Sequence, residues 1–210
     1  MMVRRARSEA PRWPRSAART ALLDAALHEF RARGYADTTV DDLCQAAGVT
    51  KGAFFHHFAT KEALGVAAVE HWSEVTGALF ASADYHRHAD PVDRVLAYLD
   101  LRADLVQGSA AEYSCVAGTL VQEIHASHPA IRQVAGASIL GGIAHIERHV
   151  EDALAAHPVP GMTARAMAQH IQVVLQGGFV VAKALNDAEV VRDSVRMLRA
   201  WVLSVLRPSA

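Results

Sequence analysis

Between Thr50 and His57 the chain sets one lysine, two adjacent histidines and two small residues in a segment able to form a short helix. Thr50 can cap that helix, and its first N–H groups and positive dipole end suit a phosphate. Lys51, His56 and His57 can reach phosphate oxygens or base edges, while Gly52 and Ala53 let the backbone approach a duplex closely. The bland alternative is a pair of solvated histidines. Twelve histidines also raise the question of a metal. His145, His149 and Asp152 fall on successive turns of roughly one helical face, and Asp84, His86, His88 and Asp90 alternate near a break in the pattern. Neither set matches a closed structural site, so hydrogen-bonded or solvated histidines beside surface acids are expected, with no metal and no cofactor.

Cys44 and Cys115 lie far apart without metal or redox spacing. Lys183, one of three lysines, sits within the apolar run from Gly177 to Leu185. An ammonium brought near Cys115 would lower the thiol's pKa and open it to electrophiles, whereas a snorkelling lysine beside an inert thiol is the simpler expectation. No glycine-rich phosphate loop and no nucleophile elbow is present, which argues against an enzyme.

The elements that must position these groups read as helices throughout. Alanine is abundant, apolar residues recur at steps of three and four, and alternating β-branched runs are scarce. From Arg15 to Arg33, Ala18, Leu22, Ala26, Leu27 and Phe30 mark one face, and Gly34 supplies a left-handed stop. Thr39 with Asp42 predicts a capping box opening a short helix to about Ala47. Gly48 and Val49 turn the chain, and Lys51 to His57 form the next helix, with Phe54 and Phe58 sharing a buried face. Two short helices across a glycine turn suggest a helix-turn-helix. Further helices are predicted near 61–82, 91–106, 113–126, 130–156, 162–185 and 188–206, and Ile139, Ile143, Ile146, Val150 and Leu154 form a buried stripe in the fourth.

The run Gly34-Tyr35, Thr38-Thr39-Val40, Ala46 to Phe58 and Lys61-Glu62-Ala63-Leu64 resembles the DNA-binding domain of TetR-family transcriptional regulators. The resemblance covers about residues 15–65. It implies an all-α fold with an N-terminal three-helix DNA-binding domain and a C-terminal helical domain for ligand binding and dimerisation. It also implies DNA contact for Thr39, Thr50, Lys51, Gly52, Ala53, Phe55, His56, His57 and Lys61. Many members carry tyrosine at the position of Phe55, so a hydroxyl contact to phosphate is absent here, and the ring is expected on sugar or a thymine methyl. Downstream, Cys115 to Glu123 with His128-Pro129-Ala130-Ile131-Arg132 is similar to a subgroup pattern Gly-Cys-x-x-Gly-Asn-Leu, with Ser114 and Thr119 as departures. The implied pocket would draw on Trp72, Phe80, Tyr98, Tyr113, Cys115, His125 and Phe179. Gly177, Gly178, Phe179, Leu198, Trp201 and Leu206 would pack against a second subunit.

Composition agrees with this division. Residues 1–61 hold ten lysines and arginines against six acids, while residues 62–210 hold eleven against sixteen. A basic N-terminal piece on an acidic body lets the first part meet a polyanion. Residues 1–14, with Arg4, Arg5, Arg7 and Arg12, read as a flexible basic arm, which Arg15 could extend toward a minor groove. Three parts are expected: the arm at 1–14, a helix-turn-helix domain at 15–60, and a ligand-binding and dimerisation domain at 61–210. No secretion signal and no apolar run long enough for a membrane span is found, so a cytoplasmic protein without membrane contact is expected. The function expected is a ligand-responsive repressor: a homodimer on double-stranded operator DNA, released by a small-molecule effector. The alternative is a redox or electrophile sensor acting through Cys115.

Overall fold

Residues 15–207 are described by the computed structural model, and helix is the regular structure they adopt. The expected arm, with Arg4, Arg5, Arg7 and Arg12, lies outside the described residues, as does the side chain of Arg15. Helix α1 (Arg15–Arg33) ends at Gly34, whose φ of +89° is open to glycine and costly for other residues. Helix α2 (Val40–Ala47) opens on the predicted capping box: the Asp42 amide donates to Thr39 Oγ1, and the Thr39 amide donates to the Asp42 carboxylate. Gly48, at φ +64°, turns the chain into α3 (Lys51–His57), capped by Thr50, which accepts from the Ala53 amide.

Helix α4 (Lys61–Ala81) leads to a 3-10 turn at Asp84–Arg87 and then α5 (Pro91–Asp104). The predicted helix 113–126 is shortened to α7 (Val116–Ile124), and a separate short helix, α6 (Ala110–Tyr113), precedes it. Ser114 and Cys115 between them are extended. The break is local chemistry that apolar spacing does not register, for Ser114 Oγ donates back to the Ala110 carbonyl and Cys115 Sγ accepts from the Gly118 amide. The chain closes with α8 (Pro129–Ala156), α9 (Ala164–Leu185) and α10 (Glu189–Leu206). The left-handed Asn186 ends α9. Among the described residues no helix is long and apolar enough to cross a membrane.

Two apolar clusters hold these helices. One joins Leu22 and Phe30 of α1, Leu43 of α2, Phe54 of α3, Phe58 and Leu64 to Val116 and Leu120 of α7 and Ile131 of α8. It draws on both sides of position 60, so the body contributes part of the core that shapes the helix-turn-helix. The second cluster packs α5, the middle of α8, α9 and α10 together, with the predicted stripe Ile143, Ile146 and Val150 inside it. Phe54 is 0% exposed in the first cluster. Truncating it to alanine is expected to lower unfolding free energy by about 3–5 kcal/mol. Urea denaturation checks this, and a loss below about 1 kcal/mol would mean that α3 is not anchored through this ring.

Candidate DNA interface and effector cavity

Helix α3 buries Phe54, with Phe58 just beyond it, and turns the other side of its surface outward. Phe55 is 55% exposed, Lys51, Gly52 and His56 are exposed, and Ala53 and His57 are half-buried. The Lys51 ammonium pairs with Asp41 at 2.8 Å, linking the first turns of α2 and α3, and this pairing raises its pKa. Thr39 is exposed, but its hydroxyl already donates to Asp42. Lys61 is placed differently from a free phosphate ligand. Its ammonium donates to the carbonyls of Tyr35 at 2.8 Å and Thr38 at 2.9 Å and sits over the Tyr35 ring, and burial draws its pKa down. It ties the first turn of α4 to the loop between α1 and α2.

That loop receives further ties from the body. Glu123 on α7 accepts the Tyr35 and Ala36 amides at 2.6 and 2.7 Å, close beside Gly34, where a Cβ would stand 2.8 Å from its carboxylate. Arg31 near the end of α1 donates to the carbonyls of Glu112 and Ser114, and its guanidinium lies over Trp72. Lys183 on α9 donates to the Arg31 carbonyl at 3.2 Å and to Thr119 Oγ1 at 2.9 Å. These charged links set the helix-turn-helix against the body. Sequence spacing did not point to Arg31 or Glu123 as couplers, because each acts on a carbonyl or amide more than eighty residues away.

A cavity of about 790 Å³ opens between α4, α5, α8 and α9. Of the seven residues expected to line it, Trp72, Phe80, Tyr98, Tyr113, Cys115 and Phe179 do so. His125 does not. It is exposed just past the end of α7, where the helix has carried its side chain off the buried face. The polar groups that share the wall include Arg102, Arg148 and Gln176. Arg102 lies over the rings of Phe80 and Tyr98. The Gln176 amide nitrogen is buried without a hydrogen-bond partner among the described residues, an orphan donor that a ligand acceptor would satisfy. Gly118 makes room for that amide, since a Cβ there would collide with Gln176 Oε1.

Of the residues on the last two helices expected to meet a second subunit, several face inward. Phe179, Leu198 and Leu206 are buried in the chain's own core, and Gly178 packs on Val191. Trp201 is half-buried with its ring against His170. The apolar surface of α9 lies on another face, at Val173, Gly177, Val180, Val181, Ala184 and Leu185, all exposed. As for Cys115, Lys183 is half-buried with a lowered pKa caused first by burial, and its protons are directed at Arg31 and Thr119. Cys115 caps α7.

A helix-turn-helix keyed by charged links to a helical body that encloses a ligand-sized cavity defines a DNA-binding regulator. The family model described as "Bacterial regulatory proteins, tetR family" matches residues 22–68, and that described as "Transcriptional regulator LmrA/YxaF-like, C-terminal domain" matches residues 91–197. The chain belongs to the tetR family of bacterial transcriptional regulators. It is similar to the transcriptional regulator AcuR of Cereibacter sphaeroides, 28% identical over 111 residues that cover 53% of this chain and 51% of that protein. It is also 46% identical over 50 residues, 24% of each chain, to the HTH-type transcriptional repressor KstR2 of Rhodococcus jostii. These matches span about half or less of the relatives' length. A TetR-family regulator from Agrobacterium tumefaciens has the same fold, with a TM-score of 0.80 at 21% identity over 90% of this chain and 98% of that one.

Proposed function

We propose that the protein is a homodimeric repressor that reads a two-fold operator through α3 and releases it when an apolar small molecule enters the cavity. The observation that carries this reading is the placement of α4. Its first residue is pinned to the α1–α2 loop through Lys61, while Trp72, Thr76 and Phe80 further along it line the cavity. A ligand that favours another seating of α4 against α8 shifts the population toward chains whose paired α3 helices no longer match successive major grooves, about 34 Å apart. Aromatic and aliphatic walls with Arg102 and Gln176 suit an apolar effector bearing a hydrogen-bond acceptor or an acid group. DNA contact is assigned to Thr50, Lys51, Gly52, Ala53, Phe55, His56 and His57, with Thr39 and Lys61 acting by positioning.

Selection from a random duplex library with the full chain tests the reading. A palindromic site with half-sites about one turn apart is expected, and enrichment of asymmetric or unrelated duplexes would refute it. On the selected duplex, Lys51→Ala should reduce the salt slope by about one unit. Asp41→Asn should act in the opposite direction and tighten binding, because it frees the same ammonium from its ion pair. Equal slopes for Lys51→Ala and the parent would remove Lys51 from the interface.

A further inference from the structure

Three imidazoles from separate stretches of sequence meet at one end of the cavity. His86 comes from the 3-10 turn after α4, and His145 and His149 lie one helical turn apart on α8, with one ring nitrogen from each within 4.8 Å of the others. The sequence offered these residues in two unrelated sets; the fold takes His145 and His149 from one and His86 from the other. The Asp84, His88, Asp90 and Asp152 of those sets take no place in the cluster. Asp152 instead pairs with Arg94 at 3.0 Å, and Asp90 caps α5 and pairs with Arg207.

The surrounding hydrogen bonds set which nitrogen carries a lone pair. A carbonyl oxygen only accepts, so His86 Nε2, 2.8 Å from the Phe80 carbonyl, carries the proton and leaves Nδ1 free. The Tyr85 hydroxyl donates its single proton to the same carbonyl at 2.9 Å. His145 Nε2 then donates to the Tyr85 oxygen at 2.5 Å, and its Nδ1 is free as well. Such a chain from carbonyl to tyrosine to imidazole is the outer support by which proteins orient ligating histidines. His145 and His149 are both half-buried against this support.

We infer that His86, His145 and His149 bind one divalent transition-metal ion, with zinc as the reference case. Imidazole nitrogens without a carboxylate favour zinc, cobalt, nickel or copper over the oxygen-seeking calcium and magnesium. Metal-nitrogen bonds of about 2.0–2.1 Å require the three nitrogens to close from their present spacing, a movement within the reach of side-chain rotation. His145 also lines the cavity, so a fourth position on the ion is available to water or to a donor atom of a molecule held there. Arg94 and Arg148 stand near these rings, and the acid beside His149, Asp152, is already paired with Arg94, which favours an anionic fourth ligand. The bound ion would tie the turn that follows α4 to α8.

The test uses the full chain, prepared without a polyhistidine tag and stripped with a chelator. Zinc calorimetry is expected to give one ion per chain with a rise in Tm, and cobalt to give a visible absorption band of a low-coordinate site. With twelve histidines present, the variants decide where the ion sits. His86→Asn, on the exposed turn, should weaken zinc binding at least about tenfold while leaving the metal-free Tm unchanged, and His149→Ala should do the same. Absence of a stoichiometric ion, or zinc affinity unchanged in both variants, would overturn the inference. Since the readout is metal binding alone, it stands or falls independently of the operator and of the effector.

Discussion

The variant Gly142→Trp is expected to bind the selected duplex as the parent does and to ignore the effector. Gly142 lies on α8 at the cavity wall, where an added Cβ meets nothing nearer than Gln172 Oε1 at 3.9 Å. An indole there fills space that the effector would use, and replacing a glycine within a helix also favours the helix by up to about 1 kcal/mol. The DNA-facing side of α3 is untouched. The experiment takes an aromatic compound found by its thermal stabilisation of the parent and measures the concentration that releases duplex by fluorescence anisotropy. A rise of about 100-fold or more is expected for Gly142→Trp, because a blocked pocket forfeits most of the ligand's buried contact. Release at the parent's concentration, by a variant shown to be folded, would place the effector elsewhere and sever the proposed link through α4.

Much of this arrangement was legible in the sequence where the signal is local. Thr39 with Asp42, Gly48 and Thr50 fix the ends of α2 and α3 through bonds spanning a few residues, and those are observed. The six cavity residues were legible as aromatic or soft side chains on helical faces of a familiar pattern. What escaped depends on distant pairing. Lys61 reads as a phosphate ligand from its position in the motif, yet the fold brings two carbonyls within 3 Å of its ammonium. Glu123 and Arg31 carry no pattern of their own, and their roles come from the seating of α7 and α6 on α1. Phe179 looks like an interface residue until helix rotation places it inward, 7% exposed. His125 looks like a pocket residue until α7 ends just before it. Periodicity says that a helix has a buried face and leaves open which neighbour covers it.

That distinction decides where the second subunit should dock. The outward face of α9 carries Val173, Gly177, Val180, Val181 and Ala184 without a charged side chain, and a continuous apolar stripe of this kind marks an association surface. Gly177 and Ala184 are small enough for two such helices to approach closely. Val173 is 66% exposed and Val180 43% exposed in the single chain, so aspartate at both positions costs the monomer little. In a two-fold pair the same four carboxylates would be brought together with their hydration removed, which is costly. The double variant Val173→Asp/Val180→Asp is therefore expected to sediment as a folded monomer with helical content and Tm near the parent's. Its affinity for the palindromic duplex should fall by about 100-fold or more, because the second half-site is no longer delivered at high effective concentration. Phe179→Asp should instead unfold the body, since its ring belongs to the monomer's own core. A folded dimer persisting in the double variant would move the interface off α9, and a monomer that kept the parent's affinity for the palindrome would overturn two-fold recognition itself.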